Sequence, residues 1–130
     1  MALPELTANQ RVVLDALRTG GRPLTAYQLL DRLRVHGFQA PPTVYRALER
    51  LLALGLVHRI ESLNAYVPCR HDPHETAAVF AICRGCGAVV ETPAEPILKG
   101  LSAAARQGGF AVEEAHVELL GRCSACRTAG

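Results

Sequence analysis

The chain contains 130 residues, of which 49% are hydrophobic, and it carries a formal net charge of +2. This apolar content is typical of a folded protein and argues against disorder. No apolar run approaches the ~20 residues that span a bilayer, and the first residues lack the basic and apolar regions of a secretory signal. We therefore expect a cytoplasmic protein. In that reducing compartment, its five cysteines should bind metal rather than form disulfides.

The first half of the sequence predicts three short helices. Capping boxes at Thr7 and Thr25 indicate where the first two begin, because a threonine followed three residues later by glutamine can satisfy two free amides. Val35 is expected to join the apolar side of the second helix. The third helix is predicted over 43–54, and Gly55 is well placed to end it in a left-handed conformation.

Two short strands over 56–60 and 65–67, with a turn at 62–64, predict a β-hairpin after the third helix. Three helices followed by a hairpin are typical of a winged helix-turn-helix, in which the third helix enters the major groove of DNA. Residues 1–68 contain eight arginines and five acids, a mild basic excess that fits a nucleic-acid partner.

The polar side of the third helix supplies the candidate contacts to DNA. Arg46 suits a base edge, because arginine can form two hydrogen bonds to guanine. The alternative interpretation is an ordinary solvated helix face, which also carries charged residues. The candidate DNA-binding residues are Tyr27, Thr43, Tyr45, Arg46 and Arg50.

The second half of the sequence predicts a small sheet covered by one helix. A capping box at 92–95 should begin that helix. The expected antiparallel strands are 76–82, 88–92 and 110–120. A sheet of this size would leave an apolar face or edge exposed, which predicts a homodimer and also suits a two-fold operator.

The chain is therefore expected to have an α+β fold with two small domains. Each domain would bury little apolar surface alone, so a metal site or dimerisation should stabilise them. The expected parts are a winged helix-turn-helix DNA-binding domain over 1–68, a linker with metal ligands over 69–76 and an α/β dimerisation domain over 77–130.

Two Cys-x-x-Cys pairs are the strongest chemical signal in the sequence. Thiolates suit zinc, and four of them complete a tetrahedral site with no open position, which predicts a structural role. A redox dithiol or a set of inert buried thiols is the alternative. The predicted ligands of this structural zinc are Cys83, Cys86, Cys123 and Cys126.

A second set of metal-ligand side chains lies on both sides of the predicted linker. One thiolate, two imidazoles and a carboxylate can bind zinc, and an ion held there would fix the DNA-binding half relative to the other half. Any single histidine could instead be a solvated surface residue, and His116 is better explained as part of the last strand. The candidate ligands are His58, Cys69, Glu91 and either His71 or His74.

Several segments resemble the ferric uptake regulator superfamily, and most closely its zinc uptake regulator branch. They are PPTVYRAL at 41–48, TAYQLL at 25–30, LGLVH at 54–58 and the two Cys-x-x-Cys pairs. The resemblance implies a dimeric winged-helix repressor that binds operator DNA when zinc-loaded and controls zinc uptake genes. It implies two zinc ions per protomer, one structural and one regulatory.

The resemblance also implies roles for individual residues. Tyr27 and Arg46 should lie near the bases. The linker histidine of the regulatory site is favoured as His74, with His71 as the alternative. The implied regulatory ligands are His58, Cys69, His74 and Glu91.

Two other functions compete with a zinc-dependent repressor. The first is an iron or peroxide sensor of the same superfamily, but Cys69 favours zinc because thiolate prefers the softer ion. The second is an enzyme, either a zinc hydrolase or a thiol oxidoreductase. No His-Glu-x-x-His motif and no nucleophile elbow is present, so neither an enzyme nor a small-molecule substrate is expected. The expected partners are double-stranded DNA and a second copy of the chain.

Overall fold

The computed structural model of the chain describes residues 5–70, 78–113 and 115–128. The chain forms two compact units, Met1–Thr76 and Ala77–Gly130. The first contains α1 (Ala8–Gly20), α2 (Ala26–Leu33), a 3₁₀ helix (Arg34–His36), α3 (Pro41–Ala53), β1 (Val57–Ile60) and β2 (Ala65–Pro68). The second contains β3 (Ala78–Cys83), β4 (Val89–Pro93), α4 (Glu95–Gln107), β5 (Val117–Gly121) and α5 (Ser124–Thr128). In these described ranges, no helix has both the length and the apolar composition needed to cross a membrane.

Both predicted capping boxes of the first unit are confirmed. The Thr25 hydroxyl accepts a hydrogen bond from the Gln28 backbone amide at 3.1 Å, and the Gln28 side-chain oxygen accepts one from the Thr25 amide at 2.9 Å. Thr7 and Gln10 form the same reciprocal pair at 3.2 and 3.0 Å. Each box satisfies two amides that the first turn of a helix leaves without a partner, so these two helices begin where the local sequence predicts.

The end of the second helix differs from the prediction at Val35. The chain tightens into the 3₁₀ helix after Leu33, and three residues per turn replace 3.6. This change of period turns Val35 away from the core, and its side chain is 85% exposed. Gly37 then ends the segment with φ of +90°, a conformation in which glycine has no steric penalty.

A single apolar core joins the three helices of the first unit to its hairpin. The side chains of Leu17, Leu29, Leu48 and Leu51 are fully buried in it. Tyr66 of β2 also forms two backbone hydrogen bonds with Leu24, of 3.1 and 2.8 Å, so the hairpin is attached to the segment before α2. The expected winged helix-turn-helix is therefore present, with the polar side of α3 left exposed.

The second unit contains the three expected strands, in the order β4-β3-β5. The α+β class is confirmed, but the sheet is mixed rather than fully antiparallel. β3 pairs antiparallel with β4, whereas β3 and β5 run parallel. The physical reason is the connection: β4 returns the chain to the end of the sheet where β3 begins, and the segment that contains α4 then crosses to the other side of β3. β5 therefore starts beside the start of β3 and runs parallel to it.

Three local predictions for this unit are corrected. The predicted capping box at 92–95 does not form, because α4 begins after Ala94 without a side-chain hydrogen bond. The predicted strand over 110–120 is limited to Val117–Gly121. Its first part is not extended, because the Phe110 amide donates to the Ala105 carbonyl at the end of α4, at 3.1 Å. The short helix α5 was not predicted.

We predict that Thr25→Ala lowers the stability of the first unit by about 1 kcal/mol, because it removes a helix N-cap. Gln28→Ala should cost less, and the double variant should cost less than the sum of the two, since the hydrogen bonds are reciprocal. All three tyrosines lie in this unit and tryptophan is absent, so tyrosine fluorescence during urea unfolding reports this unit alone.

Gln39→Ala is the matched control for this cap, because Gln39 is exposed and lies outside the helices. Its unfolding midpoint should equal that of the unmodified chain. Strictly additive losses for Thr25→Ala and Gln28→Ala would contradict a coupled capping box.

Candidate metal centres and nucleic-acid interface

The four thiols predicted to form one site converge in the second unit, with all four Sγ atoms within 4.8 Å of one another. The parallel register explains why. Cys83 at the end of β3 lies opposite Gly121 at the end of β5, and the Arg84 amide donates to the Gly121 carbonyl at 2.8 Å. Both Cys-x-x-Cys segments therefore leave the sheet at the same edge. The second cysteine of the later pair, Cys126, is carried by α5.

The spacing of the thiols fits a tetrahedral metal ion. The Sγ atoms of Cys86 and Cys123 are 3.8 Å apart. Zinc–sulfur bonds of about 2.3 Å arranged tetrahedrally require sulfur atoms about 3.8 Å from one another. A zinc ion held by four thiolates would have no open coordination position, so it would supply structural cross-linking rather than catalysis.

Backbone amides already favour negative charge on one of the thiols. The amides of Cys123 and Gly85 donate to Cys83 Sγ, each at 3.3 Å. The amides of Cys123, Cys86 and Gly85 thereby lower the pKa of Cys83 to about 6. Hydrogen bonds to the thiols of Cys83, Cys123 and Cys86 raise the pKa of Cys126 to about 12. A metal that binds all four must displace protons, so its affinity rises with pH.

Gly85 is a residue that the sequence analysis did not single out. A Cβ atom placed there would lie 2.8 Å from Cys126 Sγ and 3.2 Å from Cys126 Cβ, closer than side chains normally approach. Gly85 therefore lets the two pairs come together. Glycine between two cysteines is a weak signal on its own, because the atoms that it must accommodate come from the far end of the chain.

Two further metal-ligand side chains meet in the first unit. His58 of β1 pairs with Val67, and the Cys69 amide donates to the Leu56 carbonyl at 2.8 Å, so the ladder continues past β2. Alternate residues of a strand share a face, which puts His58 and Cys69 on the same side as diagonal neighbours. Their ligand atoms lie within 4.8 Å of each other, and both side chains are buried, at 5% and 8% exposure.

The remaining candidate ligands lie on the second unit or outside the described ranges. Glu91 lies on β4 of the second unit, opposite Phe80, and is partly buried. His71 and His74 lie outside the described residues, as does the predicted linker beyond Arg70. His116 precedes β5, is exposed and does not belong to the four-thiol cluster.

The candidate DNA-binding residues form an exposed surface on the first unit. Tyr27 on α2 is 67% exposed and Tyr45 on α3 is 40% exposed. Arg46 and Arg50 are exposed beside Tyr45, and Thr43 is partly buried at the start of α3. Within the described part of the chain, neither arginine forms an ion pair. Both guanidinium groups can therefore bind an external acceptor without breaking an internal one.

A family model described as the ferric uptake regulator family matches residues 6–120. The chain belongs to this family. The zinc uptake regulation protein of Escherichia coli K12 is 44% identical over 124 residues, which cover 93% of this chain and 72% of that protein. The protein of the same name from Mycobacterium tuberculosis H37Rv is 30% identical over 108 residues, or 80% of each chain.

Solved structures give the same grouping. A zinc uptake regulator complexed with zinc and DNA superposes with a TM-score of 0.88 at 40% identity, covering 96% of this chain and 85% of that one. The crystal structure of holo XcZur gives a TM-score of 0.87 at 38% identity, covering 95% and 87%. This member of the ferric uptake regulator family therefore groups with its zinc uptake branch.

We predict that Gly85→Ala weakens metal retention by the four-thiol cluster, because the added methyl group displaces Cys126. The zinc-loaded protein should transfer this zinc to a colorimetric chelator several-fold faster than the unmodified protein does. Gly100→Ala in α4 is the control, since a Cβ there meets no atom within 4 Å. Equal transfer rates for the two variants would show that Gly85 does not limit the approach of the two cysteine pairs.

Proposed function

We propose that this protein is a zinc-responsive dimeric transcriptional repressor, which binds operator DNA when zinc is bound and controls zinc uptake genes. The observation that carries the proposal is the position of two metal-ligand side chains. His58 and Cys69 are buried together on the hairpin of the DNA-binding unit. A metal bound by that hairpin acts directly on the part of the protein that faces DNA.

The chemistry of this pair favours zinc over iron. Cys69 offers a thiolate and His58 an imidazole, a combination that suits zinc, whereas iron and manganese sensors use more nitrogen and oxygen ligands. The names of the relatives agree with this choice, since the E. coli and M. tuberculosis proteins are both called zinc uptake regulation protein. An iron or peroxide sensor is the alternative that metal analysis of the purified protein would test.

We assign two zinc ions to each protomer. The structural zinc is held by Cys83, Cys86, Cys123 and Cys126, as the sulfur spacing supports. The regulatory zinc is held by His58, Cys69, His74 and Glu91, with His71 as the alternative to His74. Because its ligands come from both halves of the chain, this ion would favour one arrangement of the halves over others. Such a difference between two states is what a metal-dependent switch requires.

The DNA-binding surface of the proposed repressor is the polar side of α3. Arg46 and Arg50 are exposed and have no internal ion pair within the described ranges. Arg46 is assigned to a base edge, because arginine can bond guanine at two atoms. Tyr27, Thr43, Tyr45 and Arg50 are assigned to nearby bases and phosphates. A solved relative in complex with zinc and DNA is 40% identical to this chain, which supports the assignment.

Apolar surface on the second unit supports the homodimer. Val90, Leu119 and Leu120 of the sheet are about half exposed, between 47% and 60%. None of the side chains of α4 is buried, and its Leu101 is 52% exposed. Val90 and Leu119 both align with Ala81 and therefore share one face of the sheet, whereas Leu120 faces the other side. An exposed apolar face of this kind is typical of a surface that a second protein covers. Two copies would present two α3 helices, as a two-fold operator requires.

The first test is the dependence of DNA binding on zinc. A gel-shift assay with duplexes selected from a random library should show specific binding by the zinc-loaded protein. Removal of the regulatory zinc with a chelator should weaken binding by about 5- to 150-fold, the usual range of coupling between two sites. Specific binding that is unaffected by the chelator would contradict zinc control. An absence of specific binding under all conditions would contradict the repressor itself.

The second test separates the regulatory site from the structural one. We predict that Cys69→Ser and His58→Ala remain folded dimers, keep the structural zinc and lose the response of DNA binding to added zinc. His36→Ala is the control, because His36 is an exposed histidine of the same unit. Zinc content and sedimentation give the folded state, and the gel shift gives the response. A normal zinc response in either variant removes that residue from the proposed site.

A further inference from the structure

The exposed side of α3 carries one acidic residue, Glu49, between its two arginines in sequence. A carboxylate is unfavourable on a surface that approaches phosphates, because it opposes the counterion release that drives non-specific binding to DNA. Its presence on this helix therefore requires an explanation, either in the fold or in what the helix binds.

The fold does not use the Glu49 side chain. The residue is exposed, and it forms neither a hydrogen bond nor an ion pair with any residue in the ranges that the structure describes. Glu49 forms no ion pair with the neighbouring Arg46 or Arg50. The carboxylate therefore remains available to an external hydrogen-bond donor.

Helical spacing arranges the exposed side of α3 in two rows. Tyr45 and Glu49 are four residues apart and lie one above the other, and Arg46 and Arg50 form the second row in the same way. One row is basic, whereas the other combines a phenol with a carboxylate. The two rows can thus contact different parts of a DNA groove. A base edge that lies in front of Tyr45 and Glu49 would meet the hydrogen-bond acceptors of these two side chains.

The row formed by Tyr45 and Glu49 influences the ionisation of Tyr66 in the hairpin. Burial raises the pKa of the Tyr66 hydroxyl, Arg59 opposes that rise, and Tyr45, Glu61 and Glu49 add to it. Glu49 and Tyr45 are therefore close enough to Tyr66 to act on its ionisation. Tyr66 is itself attached to Leu24 by two backbone hydrogen bonds.

We propose that Glu49 is a specificity-determining residue, whose carboxylate accepts a hydrogen bond from the exocyclic amine of a cytosine in the major groove. The inference rests on the proposed function, in which α3 reads DNA. Glutamate can accept from cytosine N4, whereas guanine and thymine present acceptor oxygens to the same region. At a position without such a donor the carboxylate stays unpaired and opposes binding, so it increases the difference in affinity between the operator and other sequences.

The test compares Glu49→Gln, Glu49→Ala and the unmodified chain, each dimeric and zinc-loaded. Binding sites are first selected from a random duplex library for each protein, and dissociation constants are then measured at one salt concentration. We expect the unmodified protein to require a cytosine at one position in each half-site. Glu49→Gln should shift that preference to adenine, because glutamine bonds adenine N6 and N7. Glu49→Ala should reduce the preference for cytosine by at least about five-fold, the lower end of a good base contact.

Asp15→Asn provides the matched control, since Asp15 is an exposed acid that lies on α1 rather than on α3. It removes one negative charge from the same unit and should leave the base preferences unchanged. Unchanged preferences in both Glu49 variants, with a uniform gain of affinity equal to that of Asp15→Asn, would overturn the inference and leave Glu49 as a repulsive charge. An unmodified chain without selective binding would instead contradict the proposed function.

Discussion

Strand register is the constraint on which the placement of the candidate metal ligands in both units depends. In the hairpin, the β1–β2 ladder puts His58 and Cys69 on one face, because the register continues past the end of β2. In the sheet, the parallel pairing of β3 with β5 brings the ends of both strands, and the cysteines that follow them, to one edge. A slip of one residue in either ladder would reverse the facing of every side chain and separate the donors. The ladders are therefore conditions for the sites, as well as parts of the fold.

The two groups of donors differ in what surrounds them, and this difference suits different roles. The four-thiol cluster is held by turns and a short helix, with backbone amides directed at Cys83 Sγ. Its ligands all belong to one unit, so an ion there stabilises that unit in any arrangement of the chain. His58 and Cys69 would supply two ligands from the first unit, and zinc prefers four. In the proposed function other ligands complete this site, which would make its occupancy sensitive to conformation.

The sequence predicted those features that depend on neighbours along the chain. The capping boxes at Thr7 and Thr25 involve residues three apart, so their hydrogen bonds could be anticipated without a structure. Pairs of cysteines likewise indicated metal binding through their spacing alone. The winged helix-turn-helix could be predicted from the order of its elements, because few folds place a hairpin after three short helices.

Features set by distant residues could not be predicted in this way. Val35 has the hydropathy of a core residue, and only the change to a 3₁₀ helix turns it outward. The parallel direction of β5 depends on which edge of β3 is free, and no local pattern encodes that. Gly85 looks like an ordinary turn glycine until Cys126 is brought against it. For β5 and Gly85 the residue types could be read from the sequence, whereas pairing or contact with a distant segment determined their roles.

The low net charge of residues 1–68 bears on how a metal could control DNA binding. Residues 1–68 have an excess of three positive charges, with eight arginines and five acids. Since each phosphate contact adds to salt-dependent, sequence-independent affinity, a small excess keeps that background low. A ligand shifts a two-state equilibrium only by its difference in affinity for the two states. Under the proposed function, a modest difference in affinity would be sufficient to separate DNA-bound from free protein against a low background. A strongly basic domain would stay on DNA without metal. The proposed role of Glu49 on α3 acts in the same direction as the small charge excess, because both would transfer the control of affinity from phosphates to base contacts and metal.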